Sequence, residues 1–338
     1  MKEKKSPNFR IIVFTIIALV LLTVLFVVLD WQKVKQLEGK WDLRLILLVE
    51  LFTAASYACL SYGFVIVGNI FGIHAGRRRL FEVGLVSTAM NNILAFFGAA
   101  GHSLRLLLLE RRGTTKANIL AASIFHSYLS NIMMFILLPV GLFYLIISHK
   151  ISGGSAIGVG LVVVLLALFL VIATAILFRD SLRGRILHII KRLWHFIIRR
   201  DITPFINDLD NSLTLGLSSL RKHRAMFAIT LCLMIANWVF TVFALWACFH
   251  ALGNDVNPGL VLAGFGIGVS MGNISMIPGG LGVQEASMVG IYVLMGIPLE
   301  LAVLASILFR VLFDFIPFFI SLGFYWRLIQ GLKQKTTE

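Results

Sequence analysis

Residues 276–285 read Met-Ile-Pro-Gly-Gly-Leu-Gly-Val-Gln-Glu, and they lie between two apolar stretches that are short for membrane spans. One proline and three glycines in this stretch interrupt a helix. In lipid, the backbone groups freed by such a break must line a cavity or pack inside protein. Glu285 follows at once, and a charged side chain at membrane depth costs about 2.5–3.5 kcal/mol. The stretch therefore predicts a functional site inside a membrane protein.

The composition is that of a polytopic membrane protein. The chain has 338 residues, of which 59% are hydrophobic and 14% are charged, whereas a soluble domain is about half apolar and a quarter charged. A net charge of +14 suggests nucleic acid in a soluble protein, but here the basic residues cluster in loops, as they do in cytoplasmic loops of membrane proteins. We therefore expect one transmembrane domain over residues 1–338 and no nucleic-acid partner.

Six apolar segments have the roughly 20 residues that a bilayer core requires. Two further regions, 81–110 and 259–297, are apolar but interrupted. A single crossing by 81–100 would place the loop 179–224, with ten Lys or Arg and four Asp, outside the cell, against the charge rule. A re-entrant hairpin removes this conflict. The six predicted spans lie near 11–29, 44–67, 117–147, 156–178, 225–250 and 300–325.

We predict an all-α polytopic integral membrane protein with about six full spans and two re-entrant or broken helical hairpins. The charge rule leaves open whether 259–297 is re-entrant or forms two short crossings. If one hairpin enters from each face, the fold has the inverted-repeat organisation of some transporters. The basic ends predict a multi-pass protein of the bacterial plasma (inner) membrane, with both termini in the cytoplasm.

The basic segment 179–224 has helical patterning of its own. Residues 182–200 interleave apolar and basic side chains, which is typical of an interfacial helix drawn to an anionic bilayer surface. Thr203-Pro204 starts a second helix. The segment is interpreted as a membrane-surface connector, and a gate or headgroup-binding surface is the alternative. The second helix has an apolar stripe of Ile206, Leu209, Leu213, Leu217 and Leu220.

The break itself supplies four candidate substrate-binding residues. Gly279, Gly280 and Gly282 allow close approach of the backbone to a ligand or a helix, and the amides that follow Gly282 favour phosphate. Glu285 is either part of the site or an internal cap of a structural kink.

Two further candidates lie in the last span, and two at the break of the first hairpin. Arg310 and Asp314 share a helix face and can pair, or Arg310 can turn to a lipid phosphate or to Glu285. Arg105 has a guanidinium group that suits phosphate, although it can also snorkel. His102 beside it either titrates or serves as a hydrogen-bonded structural residue.

Other polar residues in the spans are assigned structural roles. Pro317 lacks the amide hydrogen that would pair with the Phe313 carbonyl, so that carbonyl is free. Interhelical hydrogen bonds are expected for a set of polar side chains. These are His126, Asn131, Asn237 and Asn273.

Motifs for catalysis or cofactor binding are absent from the sequence. There is no phosphate-binding loop, no His-Glu-x-x-His and no Gly-x-Ser-x-Gly, and the three cysteines have no paired spacing. Asp208-Leu209-Asp210 has the metal-binding spacing of nucleotide-sugar transferases, but its loop is too short for a nucleotide-binding domain. We expect no cofactor and no metal, and a transporter is favoured over an enzyme.

The break resembles the membrane region of the lysylphosphatidylglycerol synthase/flippase family, which includes stand-alone proteins of the UPF0104 group. The residues that carry the resemblance are Pro278-Gly279-Gly280-Leu281-Gly282-Val283-x-Glu285, then Gly296-Ile297-Pro298, and Arg310 before Pro317. Asn91-Asn92-Ile93-Leu94 and Gly101-His102-Ser103-Leu104-Arg105 resemble the family's first conserved region. There the family often has Glu where this chain has His102.

This resemblance implies a helical fold with re-entrant helices and a role in moving a lipid between leaflets. It marks Arg105, Glu285 and Arg310 as functional positions. Because the chain ends soon after the last span, we expect no aminoacyl-transferase domain and no lysine transfer from tRNA. The leading hypothesis is translocation of a lipid with a phosphate headgroup. The alternatives are a membrane-embedded enzyme or subunit acting on a lipid phosphate, and a scaffold for a lipid-modifying partner; a homo-oligomer or a lipid-synthesis partner protein is compatible with each.

Overall fold

The computed structural model describes residues 32, 42–94, 99–110, 114–147, 154–198, 203–275 and 277–333. Within these ranges the chain is helical and has no β-strand. A 3₁₀ turn (Pro278–Gly280) separates α9 from α10, and a π-helical segment (Arg310–Phe315) joins α11 to α12. The helices are α1 (Leu43–Ile70), α2 (Arg77–Leu94), α3 (Ala99–Leu109), α4 (Lys116–Ile147), α5 (Gly154–Phe178), α6 (Asp180–Ile198), α7 (Thr203–Lys222), α8 (Arg224–Ala251), α9 (Pro258–Ile274), α10 (Val283–Leu294), α11 (Leu299–Phe309) and α12 (Ile316–Lys333).

Three helices of the described part are long and apolar enough to cross a membrane. They are α1, α8 and the continuous helix Leu299–Gln330 that includes α11 and most of α12. The Asp42 amide donates to the Ala251 carbonyl at 3.2 Å, which ties the start of α1 to the end of α8. These two helices therefore form an antiparallel pair at the centre of the fold.

The helices match the predicted segments in position. The segments 44–67, 225–250 and 300–325 fall within the three long apolar helices. The segments 117–147 and 156–178 coincide with α4 and α5, while 11–29 lies outside the described residues. The helical class is confirmed, and the number of spans stays a prediction.

Each interrupted region folds into an antiparallel helical hairpin. In the first hairpin, α2 packs on α3, and the Arg79 guanidinium donates to the Leu108 carbonyl at 3.1 Å. In the second, α9 packs on α10, and the Tyr292 hydroxyl donates to the Val261 carbonyl at 3.0 Å. In both, the start of the first helix therefore lies beside the end of the second. The re-entrant position of the hairpins in a membrane stays a prediction.

The apolar stripe on α7 packs on protein, and the position of this segment at the membrane surface stays a prediction. All five of its apolar residues are buried, and α7 contacts α4. The buried Arg183 of α6 fixes α7, because its Nε donates to the Asp210 carboxylate at 2.5 Å and its Nη1 donates to the Leu177 carbonyl at 2.9 Å. The apolar face of α6 is different: Ile189 and Leu193 are exposed beside Arg192.

Candidate functional site

A cavity of about 520 Å³ lies between the two hairpins and is enclosed by α1, α4, α5, α8 and the last long helix. Six of the eight predicted site residues line it. Glu285 and Gly282 do not line it but lie directly behind Arg310. The six lining residues are His102, Arg105, Gly279, Gly280, Arg310 and Asp314.

The tips of the two hairpins touch through bare backbone. Gly279 has φ of +62°, a conformation that side chains other than glycine rarely adopt. A Cβ atom on Gly279 would lie 2.7 Å from the Asn92 carbonyl oxygen and 2.8 Å from that of Ile93. The break therefore rests on the end of α2, and only glycine allows this contact. The two interrupted regions form one wall of the cavity.

Arg310 joins the break to the last long helix. Its Nε donates to Glu285 Oε1, and its Nη2 also contacts that oxygen. Its Nη1 donates to Asp314 Oδ2 at 2.8 Å. We call Glu285, Arg310 and Asp314 the Arg310 cluster. The predicted pairing of Arg310 with Asp314 is present, and so is the contact with Glu285, because the break brings α10 against the helix that carries both residues.

The remaining carboxylate oxygens of the Arg310 cluster also accept hydrogen bonds. Glu285 Oε2 accepts from the Gly282 amide at 2.7 Å, so Glu285 caps α10 as well as binding Arg310. Asp314 Oδ1 accepts from the Asn92 side chain at 3.1 Å. Each of the four carboxylate oxygens thus has a partner. The Gly282 amide points to Glu285, and the expected phosphate ligand at that amide stays a prediction.

A tyrosine that sequence reasoning missed completes this network. Asn92 Nδ2 lies 3.0 Å from the Tyr57 oxygen, and the Tyr57 hydroxyl donates to the Phe313 carbonyl at 3.1 Å. Pro317 leaves that carbonyl without its helical donor, as predicted, and the chain is π-helical over Arg310–Phe315. The proline was the signal that a partner is needed, but the sequence spacing does not identify Tyr57.

Arg105 lines the cavity from α3. It is 4% exposed, its Nε donates to the Ser87 hydroxyl at 2.9 Å, and its guanidinium carbon lies 4.0 Å from the centre of the Phe64 ring. Its Nη1 is buried and has no hydrogen-bond partner. No carboxylate in the described ranges pairs with Arg105, so this cation is not neutralised.

Close helix packing positions Arg105. Gly101 lies one turn before Arg105 on α3, and a Cβ atom there would lie 2.9 Å from the Ser87 carbonyl oxygen. The absence of a side chain lets α3 approach α2, and the Ser87 hydroxyl is then within reach of Arg105. His102 takes a smaller part, since its Nε2 lies 2.9 Å from the Ser127 hydroxyl. His102 is therefore hydrogen-bonded, in agreement with its interpretation as a structural residue.

The four polar residues assigned to interhelical hydrogen bonds fall into two groups. His126 Nε2 donates to the Leu60 carbonyl at 2.9 Å, and Asn237 accepts from Ser56 at 2.8 Å, as expected. Asn131 and Asn273 line the cavity and form no hydrogen bond with any residue that the structure describes. They are candidate ligand contacts that the sequence interpretation assigned to interhelical hydrogen bonds.

A metal site needs several ligating side chains close together. In the part of the chain that the structure covers, no three His, Cys, Asp or Glu side chains come together as a metal site requires. Of the two acidic residues in Asp208-Leu209-Asp210, Asp210 forms an ion pair with Arg183, as described above.

Comparisons with known proteins agree with the helical membrane architecture. The sequence model of the lysylphosphatidylglycerol synthase TM region matches residues 11–321. A UPF0104 membrane protein of Methanothermobacter thermautotrophicus is 21% identical over 311 residues, covering 89% of this chain and 90% of that protein. A second match to a UPF0104 membrane protein of that organism is 26% identical over 107 residues, or 32% of this chain and 30% of the relative. The chain is therefore an integral membrane protein that belongs to the family of the lysylphosphatidylglycerol synthase TM region.

Proposed function

We propose that the protein moves a lipid with a phosphate headgroup between the two leaflets of the plasma membrane, and that Arg105 binds the phosphate. The observation that carries this proposal is the buried, unpaired guanidinium of Arg105 in the wall of the cavity. A buried charge without a partner is costly. A phosphate oxygen beside Nη1 would remove that cost through a charge-assisted hydrogen bond.

Arg310 has a different role in this proposal. Glu285 and Asp314 already neutralise it, so it attracts a phosphate less strongly than Arg105 does. It holds the break against the last long helix and so fixes one wall of the cavity. It becomes a second phosphate ligand only where it releases one of its carboxylates. Hydrocarbon tails stay in the bilayer, and only the headgroup enters the cavity.

The proposed topology has six spans and two re-entrant hairpins, with the basic ends of the chain and of the first hairpin in the cytoplasm. His74 precedes α2, Thr115 follows α3, and both are exposed. Cysteines placed singly at these positions should react with an impermeant maleimide from the same side of the membrane. Reaction from opposite sides would remove the re-entrant first hairpin and, with it, this topology.

The exposed face of α6 is proposed to lie on the anionic surface of the cytoplasmic leaflet. Arg185 and Arg192 flank exposed Ile189 and Leu193 on that helix. Each basic residue near such a surface contributes about 1 kcal/mol of attraction. This contact orients the protein at the interface and is separate from the cavity.

A flipping assay with purified protein tests the proposal. Proteoliposomes contain fluorescent phosphatidylglycerol, and dithionite reports how fast the inner-leaflet probe reaches the surface. Because a charged hydrogen bond contributes about 1.5–3 kcal/mol, Arg105→Gln should slow this rate about tenfold or more. Glu285→Gln and Arg310→Ala should also slow flipping, since both loosen the wall of the cavity. Arg77→Gln is the matched control, because Arg77 is exposed at the start of the same hairpin.

Four outcomes would contradict the proposal. An unchanged rate in Arg105→Gln would remove Arg105 as the phosphate ligand, and unchanged rates in both Glu285→Gln and Arg310→Ala would remove the cluster's role. A new lipid species in the mass spectrum after incubation would indicate a membrane-embedded enzyme instead. A purified protein that neither moves nor modifies lipid would indicate a scaffold for a partner protein.

A further inference from the structure

The cavity also has chemistry that a phosphate alone does not require. We propose that the headgroup is a phosphate ester of a neutral polyol or sugar. This inference rests on the proposed function and specifies the substrate class of the same cavity.

The carboxylates of the Arg310 cluster already have partners. Their four oxygens each accept a hydrogen bond or ion contact: from Arg310 on Glu285 Oε1 and on Asp314 Oδ2, from the Gly282 amide and from Asn92. Asp314 is the one acidic residue among the described side chains that line the cavity. A neutral hydroxyl can donate to a carboxamide oxygen without competing with Arg310 for these carboxylates.

Neutral carboxamide side chains supply polar groups in the cavity that have no hydrogen-bond partner among the described residues. Asn131, Asn273 and Gln284 line the cavity and form no hydrogen bond with any described residue. Asn91 also lines it, and its Oδ1 is buried and has no partner. A carboxamide both donates and accepts hydrogen bonds, as a hydroxyl does. Several carboxamides in the same cavity as one cation therefore suit a phosphate that carries several hydroxyl groups.

Aromatic rings line the same space. Trp238 and Phe265 border the cavity with ring centres 6.1 Å apart, and Phe309 and Phe313 stack at 4.9 Å in the adjoining wall. A polyol or sugar ring has apolar C–H faces as well as hydroxyls, and apolar surface packs favourably against such rings. The volume of about 520 Å³ falls in the range of about 300–1,000 Å³ that is usual for small-molecule sites. Bare phosphate would leave these rings and carboxamides in water.

Binding to the purified protein in a neutral detergent tests the inference by calorimetry. The probes are short-chain phosphatidylinositol, phosphatidic acid and phosphatidylethanolamine. The double variant Asn131→Leu/Asn273→Leu removes two free carboxamides while keeping the side-chain size. Asn207→Leu is its control, since Asn207 is exposed on α7, away from the cavity.

We expect phosphatidylinositol to bind about tenfold or more tightly than phosphatidylethanolamine, as one or two lost hydrogen bonds would produce. The double variant should lose about tenfold in affinity for phosphatidylinositol and change little for phosphatidic acid, whose retained binding also shows that the cavity is folded. Arg105→Gln should weaken both. Glycerophosphoinositol, which has no tails, should bind more weakly than the lipid.

The contrary results separate this inference from the proposed function. Equal affinity for phosphatidylethanolamine and phosphatidylinositol, or an unchanged double variant, overturns the polyol headgroup and leaves the phosphate lipid in place if Arg105→Gln still weakens binding. Binding that does not depend on Arg105, no binding of any probe, or glycerophosphoinositol as tight as the lipid overturns the proposed function as well.

Discussion

Replacing Arg310 with methionine should destabilise the protein more than any other change in the cavity. Arg310 is 7% exposed and contacts two carboxylates. Removing one partner of a buried ion pair costs about 3–5 kcal/mol, because the other charge is left buried. Here two like charges, on Glu285 and Asp314, are left facing each other. We therefore expect Arg310→Met to lose about 5 kcal/mol of unfolding free energy.

A variant in which the Arg310 cluster carries no charge isolates the cause of this loss. In the triple variant Arg310→Met/Glu285→Gln/Asp314→Asn, no charge remains, the Gln oxygen can still accept from the Gly282 amide, and the Asn oxygen can still accept from Asn92. Replacing a whole buried ion pair by neutral groups is often close to neutral in stability. The triple variant should therefore regain most of what the single variant loses, although its flipping rate should stay low.

Reversible unfolding in mixed micelles of detergent and dodecyl sulfate measures these free energies. Arg327→Met is the control for loss of an arginine from the last long helix. The Arg327 side chain is 51% exposed beside Glu82, so its loss should cost about 1 kcal/mol or less. A loss below about 1 kcal/mol for Arg310→Met, where a buried pair predicts several, would refute the reasoning. So would a triple variant that is as unstable as the single one, because charge would then not be the cause.

Three further predictions concern the wall of the cavity and the pair of helices α6 and α7, and the same unfolding assay measures the first two. Gly279→Ala should lower the unfolding free energy by at least about 1–2 kcal/mol, because Gly279 has a positive φ. Gly290→Ala is its control: Gly290 has open space around it, so the change should stabilise α10 by about 0.5–1 kcal/mol. Equal effects of the two changes would contradict the contact between the hairpin tips. Tyr57→Phe should cost about 1–2 kcal/mol, since it leaves a buried carbonyl unpaired, and no loss would remove it from the network. Arg183→Met should raise amide hydrogen exchange in α6 and α7. Arg185 is exposed, so Arg185→Met should not raise it. Equal exchange in the two variants would show that the buried Arg183 does not hold the two helices together.

The features that follow from local rules could be predicted from the sequence. Pro278 and the glycines after it end one helix and allow another to begin, whatever the surroundings are. The spacing of Arg310 and Asp314 places them on one helix face. Pro317 frees the carbonyl four residues before it. Each of these inferences uses neighbours within one or two turns, so the rest of the fold has little power to change it.

The partners of these groups come from distant parts of the chain, and spacing does not encode them. Arg105 meets Ser87 and Phe64 only because α3 packs against α2, which in turn packs against α1. Amphipathic patterning has a similar limit. It shows that α7 has one face to bury, but the pattern is the same whether that face meets lipid or protein. The structure shows protein at α7, while the apolar face of α6 is left exposed.

Charge balance distinguishes the two arginines in the cavity more sharply than their types or positions do. On one side, Arg310 has two carboxylates, so the cluster carries one formal negative charge. On the other side, Arg105 has a hydroxyl and an aromatic ring, and it carries one formal positive charge. The two groups are therefore neutral in sum but opposite in sign. In the proposed function, we expect the phosphate to be attracted to Arg105 and repelled by the cluster, so the headgroup should lie with its phosphate toward α3.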